Sequence, residues 1–238
     1  MKFGIIKERK NPPDRRVVFT PEELVRLQSE HPEAEIKVES SDIRIFSDDQ
    51  YRNLGLNVTT DMSDCDVLFG VKEVPVDALI PNKKYFFFSH TIKKQPYNRK
   101  LLQAILAKSI ELYDHETIVD ATNHRLIGFG RYAGLVGAYN GFRGFGIKYD
   151  LFTLPKAETL SGKEDLIARL KRQTLPNIKI VLTGHGKVGM GAKEILDGIK
   201  IKEVSVEDFL NKKYTEPVYT QIDVLDYNKR KDGQVLDN

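Results

Sequence analysis

Three cations stand where they could do chemistry on a small acid: Arg16 in "KERKNPPDRRVVF", Lys72 closing "DVLFGVK", and His90 just past "YFFFS". An arginine fork binds a carboxylate through two parallel N–H bonds. A lysine and a histidine can carry protons to and from a reacting carbonyl or amine. A lysine that is partly desolvated among other cations has its pKa lowered toward neutrality, which makes it a usable base. The same residues have a plainer explanation. Lysines after strands are common, Arg15 or Arg16 can be a solvated loop charge, and "SHTIKKQ" (89–95) also reads as a polar turn. Spacing alone leaves both readings open.

Strand-like "KFGIIK" (2–7), "AEIKVES" (34–40), "DVLFGVK" (66–72), "KYFFFS" (84–89) and "IELYD" (110–114) alternate with helix-like segments at 20–31, 47–55 and 97–109. Thr20, Pro21 and Glu23 make a capped helix start, Ser47 with Gln50 makes a second capping box, and Gly55 marks a stop. Apolar strands alternating with amphipathic helices predict an α/β fold with a mostly parallel sheet. Ligands bind beyond the carboxyl ends of the strands in such sheets. Arg16, Lys72 and His90 could therefore converge on one cleft although they are far apart in sequence.

The second half reads differently. In "GFGRYAGLVGAYNGFRGFG" (128–146), Gly130, Gly134, Gly137, Gly141 and Gly144 recur at three- and four-residue spacing. Each glycine costs about 1 kcal/mol in a helix interior, so the pattern suggests close packing. A hinge helix between two domains is favoured over a phosphate loop. A helix over about 162–173 follows, with Ser161 and Glu164 as its box. Then "IKIVLTGHGKVGMGAKEIL" sets G-x-G-x-x-G, Gly184, Gly186 and Gly189, between a β-branched run and an amphipathic helix. That setting suits a dinucleotide diphosphate on the loop, with Lys187 and Val188 entering the helix. A tight structural turn is the alternative. Glu203 lies nearest the offset expected for the acid that holds the adenosine ribose; Glu207 and Asp208 are further candidates, and NAD against NADP stays open. After "IKIKEVSVEDFL" no further apolar strand is evident. The tail beyond about Asp208 is expected to pack poorly, with dimer contacts or disorder covering an open sheet edge. The chain reads as the N-terminal part of a longer protein, weak as a catalyst by itself. The expected division is 1–130, a substrate domain, and 131–238, the start of a Rossmann dinucleotide-binding domain.

Composition narrows the classes. The 238 residues are 40% hydrophobic and 30% charged, with a net charge of +3. Interleaved charges of that size argue against nucleic acid. No apolar run nears the roughly 20 residues that span a bilayer, and "MKFGIIKERK" does not read as a signal peptide. Cys65 stands alone before an apolar run, which favours a buried thiol. No metal site is expected. A cytoplasmic protein, possible as a homodimer, is the expectation.

"KERKNPPDRRVVFTPEEL", "VLFGVKEVP", "FFFSHTIKKQPYNRKLLQAIL" and "IELYDHETIVD" with "HRLIGFGRYAGLVGAYNGFRGFG" follow one another along residues 1 to about 205. In order and spacing they resemble the saccharopine dehydrogenase (L-lysine-forming) family, and most of all its lysine–2-oxoglutarate reductase branch, with looser likeness to alanine dehydrogenase and the transhydrogenase N-terminal region. The resemblance implies a two-domain oxidoreductase, using NAD or NADP, that forms or cleaves saccharopine from lysine and 2-oxoglutarate. It implies Lys72 and His90 as the catalytic pair, Arg16 as a substrate-binding arginine, and Glu116 as an acid tuning the site. Gln95 would orient the loop or touch a substrate carboxylate. The glycine loop would seat the cofactor. An alanine-dehydrogenase-like enzyme and a non-catalytic binding fragment are the alternatives.

Overall fold

The computed structural model describes residues 1–229 and 231, and the chain forms two units, Met1–Gly128 and Phe129–Asn238. The first carries strands β1 (Lys2–Ile5), β2 (Glu35–Glu39), β3 (Asn57–Thr59), β4 (Val67–Phe69), β5 (Lys84–Phe87) and β6 (Glu111–Asp114). Its helices are α1 (Pro21–Glu30), α2 (Asp48–Arg52) and α3 (Arg99–Ala107). The six strands form one sheet, in the order β3-β2-β1-β4-β5-β6, and every pairing is parallel.

The aromatic run of β5 shows how period-two alternation builds both faces. Tyr85 and Phe87 are buried with Leu101 and Ile105 of α3, along with Cys65 and Leu68. Phe86 points the other way and stacks between Phe69 and Tyr113, ring centroids 4.7 and 4.5 Å apart. A second core gathers Ile5, Leu24, Ile36, Val38, Tyr51 and Leu56. Both expected capping boxes are present, Thr20 with Glu23 on α1 and Ser47 with Gln50 on α2. Gly55 takes the left-handed φ of +80° that a helix stop requires. Cys65 is a fully buried thiol.

The second unit runs α4 (Gly130–Lys148), α5 (Lys163–Lys171), β7 (Lys179–Thr183), α6 (Lys187–Gly198), β8 (Lys202–Glu203), α7 (Val206–Asn211), β9 (Val218–Ile222) and α8 (Val224–Tyr227). Two of the sequence expectations fail here. The chain does contain another strand after 210: β9 lies in the middle of a parallel sheet ordered β7-β9-β8, and Val218, Tyr219 and Thr220 are buried. A threonine and a glutamine interrupt its apolar pattern, yet a central strand is covered on both faces and needs only β-forming residues. The tail after Asp208 is thus packed where β9 runs, at Val218 to Thr220, though Leu210 before it is exposed. Residues 230 and 232–238 lie outside the described residues. Second, α5 is capped by Gly162 without a side-chain bond, because Ser161 turns to Asp165 instead.

Helix α4 belongs to the second unit and, as its glycines suggested, lies tight against α6. A Cβ on Gly134 would stand 2.0 Å from the carbonyl oxygen of Val188, and one on Gly191 2.0 Å from that of Arg131. Gly137, Gly141 and Gly144 face open space, so only part of the glycine pattern serves packing. Leu135, Tyr139, Phe142, Leu166, Ile195 and Tyr219 fill this unit's core. No helix among the described residues is long and apolar enough to cross a membrane.

Candidate functional site

Strands β1, β4, β5 and β6 lie side by side, so their carboxyl ends deliver four loops to one edge of the sheet. The loops carry Glu8 to Arg16, Gly70 to Glu73, Ser89 to Lys94, and Asp114 to Glu116. Parallel strands must part at this edge, and the backbone N–H groups beyond the last ladder bond lose their partners. After Ile6 N–H bonds Phe69 O at 2.9 Å, the buried Glu8 carboxylate takes over. It accepts from Val71 N–H at 2.7 Å and Lys72 N–H at 2.9 Å. Burial pushes the Glu8 carboxyl above the usual glutamate range, with the two N–H donors pulling the other way.

Lys72 is held there by its backbone and is half-buried. Among the described residues its ammonium makes no hydrogen bond or ion pair. Its charge nonetheless acts on Asp14, whose carboxyl is held low chiefly by the Arg16 guanidinium. Arg16 grips Asp14 with both arms, Nε at 2.9 Å from Oδ1 and Nη2 on Oδ2. That is the two-pronged geometry by which arginine takes any carboxylate.

His90 sits in the left-handed region, φ +56° and ψ +11°, which is rare for a residue with a side chain. Its Nδ1 is 3.0 Å from Glu116 Oε2, and its Nε2 is 3.8 Å from Glu73 Oε1. Lys93 Nζ stands 3.2 Å from the same Nδ1 and 3.2 Å from Glu116 Oε1. Lys93 donates to Glu116 Oε1, so His90 Nδ1 lies between a carboxylate that accepts and an ammonium that donates, and its own role follows the tautomer of the ring. Arg125 adds a contact at 3.4 Å to Glu116. Burial works to raise the Glu116 carboxyl, but the bonds from His90 and Lys93 outweigh it and hold it low. Glu73 is also held low, with burial opposed by its bond from Lys10 at 2.9 Å. A base braced on one nitrogen by a carboxylate, next to a lysine and an arginine fork, can bind an acid and move protons.

In the second unit Gly184 adopts φ +82° after β7, and a Cβ on Gly189 would fall 2.1 Å from Gly184 O. Gly186 leads into α6 with open space where its Cβ would be. The first glycine makes the turn, the second leaves room for a ligand to approach, and the third lets helix pack on strand. This fits a dinucleotide diphosphate. Lys187 and Val188 open α6 and are exposed. Two acids lie near the loop. Glu203, one of the three anticipated, feels the charge of His185, and Asp223, which the sequence did not single out, meets that ring directly. Glu203 ends β8 and pairs with Lys193, while Glu207 and Asp208 lie in the first turn of α7. Because β9 is the strand next to β7, Asp223 at its end stands beside the loop, its Oδ2 3.5 Å from His185 Nδ1. Gly184 N–H bonds Ile222 O at 2.7 Å, and Gln221 Nε2 bonds Gly184 O at 2.8 Å.

Residues 4–136 match the family model described as alanine dehydrogenase/PNT, N-terminal domain. The chain belongs to this family. An alpha-aminoadipic semialdehyde synthase of Arabidopsis thaliana is 30% identical over 235 residues, covering 86% of this chain and 22% of that protein. A saccharopine dehydrogenase [NAD(+), L-lysine-forming] of Yarrowia lipolytica is 27% identical over 192 residues, covering 72% of this chain and 51% of the relative. The chain thus spans between a fifth and a half of these relatives. Among solved structures an L-alanine dehydrogenase superposes with a TM-score of 0.60 at 18% identity, covering 92% of this chain and 60% of that one, which is a likeness of fold.

For this member of the alanine dehydrogenase/PNT N-terminal family, the structure brings Lys72, His90, Glu116 and Arg16 to one sheet edge. It does not join Gln95 to them. That residue is exposed at the N-cap of a 3-10 turn, and its side chain makes no hydrogen bond among the described residues. Glu8, Lys10, Asp14, Glu73, Ser89 and Asp114 belong to the cluster and were not singled out by sequence. Glu73 had a signal, since it follows Lys72 directly; Glu8 and Asp114 had only their places at strand ends.

Proposed function

We propose that this chain carries the substrate-binding and proton-transferring part of a nicotinamide-dependent oxidoreductase that joins lysine to 2-oxoglutarate as saccharopine, or runs the reverse reaction. One observation carries it: an arginine fork, a half-buried lysine with no ion pair among the described residues and a carboxylate-braced histidine share the carboxyl edge of one parallel sheet. The "FSHTIK" phrase and the saccharopine-forming and aminoadipic semialdehyde synthase relatives support the choice of substrates.

In this reading Arg16 takes a substrate carboxylate as it takes Asp14. Lys72, once it has given its own proton to solvent and stands as the neutral amine, receives the proton that the substrate ε-ammonium must lose before its nitrogen can attack the keto carbon. His90, with Nδ1 held by Glu116 and a second proton taken up on Nε2, gives that second proton to the carbinolamine hydroxyl, which leaves as water and yields the imine. The cofactor supplies the hydride that reduces the imine. Gly184, Gly186 and Gly189 would seat its diphosphate and Asp223 its adenosine ribose. The test follows NAD(P)H absorbance with paired substrates. Oxidation that requires both lysine and 2-oxoglutarate supports the reading. Equal turnover with pyruvate and ammonia moves the chain to the alanine dehydrogenase side, and no turnover with either pair leaves a binding module.

A further inference from the structure

Beneath the His90–Glu116 pair lies a carboxylate with no proton-transfer role, Asp114, the last residue of β6. It is buried, and so is Ser89, the second residue past β5. Asp114 uses its two oxygens on two loops. Ser89 Oγ–H donates to Oδ2, and Glu116 N–H donates to Oδ1 at 2.8 Å. The Ser89 hydroxyl in turn accepts from Thr91 N–H at 3.1 Å and meets Thr91 Oγ1 at 2.7 Å. The residues on both sides of His90 are thereby tied down, and His90 itself is held in its left-handed backbone conformation. The Asp114 carbonyl oxygen also accepts from Thr117 N–H at 2.9 Å and Thr117 Oγ1 at 3.0 Å, which fixes the far side of Glu116. A ring of bonds results: Asp114 to Ser89, along the chain to His90, across to Glu116, and back to Asp114.

We infer that Asp114 and Ser89 are positioning residues that set the tautomer of His90 by holding the Glu116 carboxylate at its Nδ1. A carboxylate there accepts a proton carried on Nδ1. Two contacts oppose this, the Lys93 ammonium 3.2 Å from the same Nδ1 and Glu73 Oε1 3.8 Å from Nε2. Lys93 has Glu116 Oε1 as its own acceptor at 3.2 Å. The Glu116 contact to the ring at 3.0 Å is the shorter of the two carboxylate contacts, so a neutral imidazole keeps its proton on Nδ1 and leaves Nε2 bare. Free histidine side chains favour the opposite form, with the proton on Nε2. The ring of bonds would therefore hold His90 with its exchangeable position open, and it does so without Asp114 or Ser89 touching a substrate. The consequence for catalysis rests on the function proposed above; the tautomer does not.

Histidine side-chain 15N spectra of the whole chain decide it, recorded at a pH where the rings are neutral. The wild type is expected to show His90 as Nδ1–H. In Asp114→Asn and in Ser89→Ala the Nε2–H form becomes the major one, while His31, His124 and His185 keep their wild-type signals. A folded variant whose His90 keeps Nδ1–H overturns the inference, and so does a wild type already in the Nε2–H form. Should Asp114→Asn fail to fold, Ser89→Ala decides alone. Turnover gives a separate readout. If the wild type consumes lysine and 2-oxoglutarate, the variants lose up to about 10²-fold in kcat with little change in KM. A wild type with the expected tautomer and no turnover keeps the positioning role and removes the functional reading.

Discussion

Lys72 differs from its neighbours in making no ion pair among the described residues. Lys10, Arg16, Lys93 and Arg125 each meet a carboxylate within 4 Å, whereas the Lys72 charge acts on Asp14 only through space. If it and His90 handle protons, Lys72→Met and His90→Gln should each lower kcat by about 10²-fold or more, the range for general acid–base groups. Each variant should also lose one limb of the pH–rate profile, and unchanged profiles in both would make these residues structural. The carboxylates have an effect on stability that needs no substrate. Glu116 and Glu73 have carboxyl pKa values below the ordinary range in the folded state. Their contribution is complete above the unfolded value of about 4.3, and it disappears as pH falls through the lower folded values. Urea unfolding followed from pH 6 to pH 3 should show stability falling with acid, and a shallower fall in Glu116→Gln. Equal slopes would mean that the His90 and Lys93 bonds do not lower Glu116.

Helices α4 and α6 touch through glycine backbone, and glycine content alone does not tell which glycines matter. Gly134→Ala puts a methyl 2.0 Å from the Val188 carbonyl oxygen, which must force the two helices apart. Backbone cannot yield as a side-chain tip can, so a loss of about 2 kcal/mol or more is expected, within the range for overpacked sites. Gly137→Ala on the same helix meets nothing, and it should stabilise by up to about 1 kcal/mol through helix propensity. Chemical denaturation of the two variants checks the contrast. Similar effects at both positions would show that the α4–α6 approach is looser than the geometry states. The strand ends obey a similar economy. Glu8 continues the β1–β4 ladder with a side chain once the backbones part, and this fixes the segment that bears Lys72.

Each unit has its own apolar core. Leu68, Tyr85, Phe87 and Ile105 with their neighbours, and Ile5, Leu24, Val38 and Tyr51 with theirs, lie in the first; Leu135, Tyr139, Leu166 and Ile195 lie in the second. Units with separate cores can unfold separately. Residues 1–128 expressed alone should therefore keep a cooperative thermal transition, and Gly134→Ala should lower a transition belonging to the other unit while leaving this one in place. A residue 1–128 fragment without a cooperative transition would show that the first unit depends on the second. A single transition moved as a whole by Gly134→Ala would show that the two units unfold together.

Local and repetitive features were open to reading from the sequence. Period-two and helical alternation named the parallel α/β class, the capping boxes at Thr20 and Ser47 fixed two helix starts, and the glycine loop at 184–189 announced its turn. Each depends on residues within a few positions of one another. The places of Lys72 and His90 just past strands were legible too, because strand ends are predictable once the strands are. Arg16, by contrast, lies well past β1, and its role came only from the resemblance. What the sequence could not supply was adjacency across the chain. That Glu8 reaches Lys72, that Asp114 spans Ser89 and Glu116, and that β9 slips between β7 and β8 to set Asp223 at the loop all depend on which strands lie side by side. Strand order follows from how apolar faces are buried together over the whole unit, a collective choice that no short stretch of residues encodes.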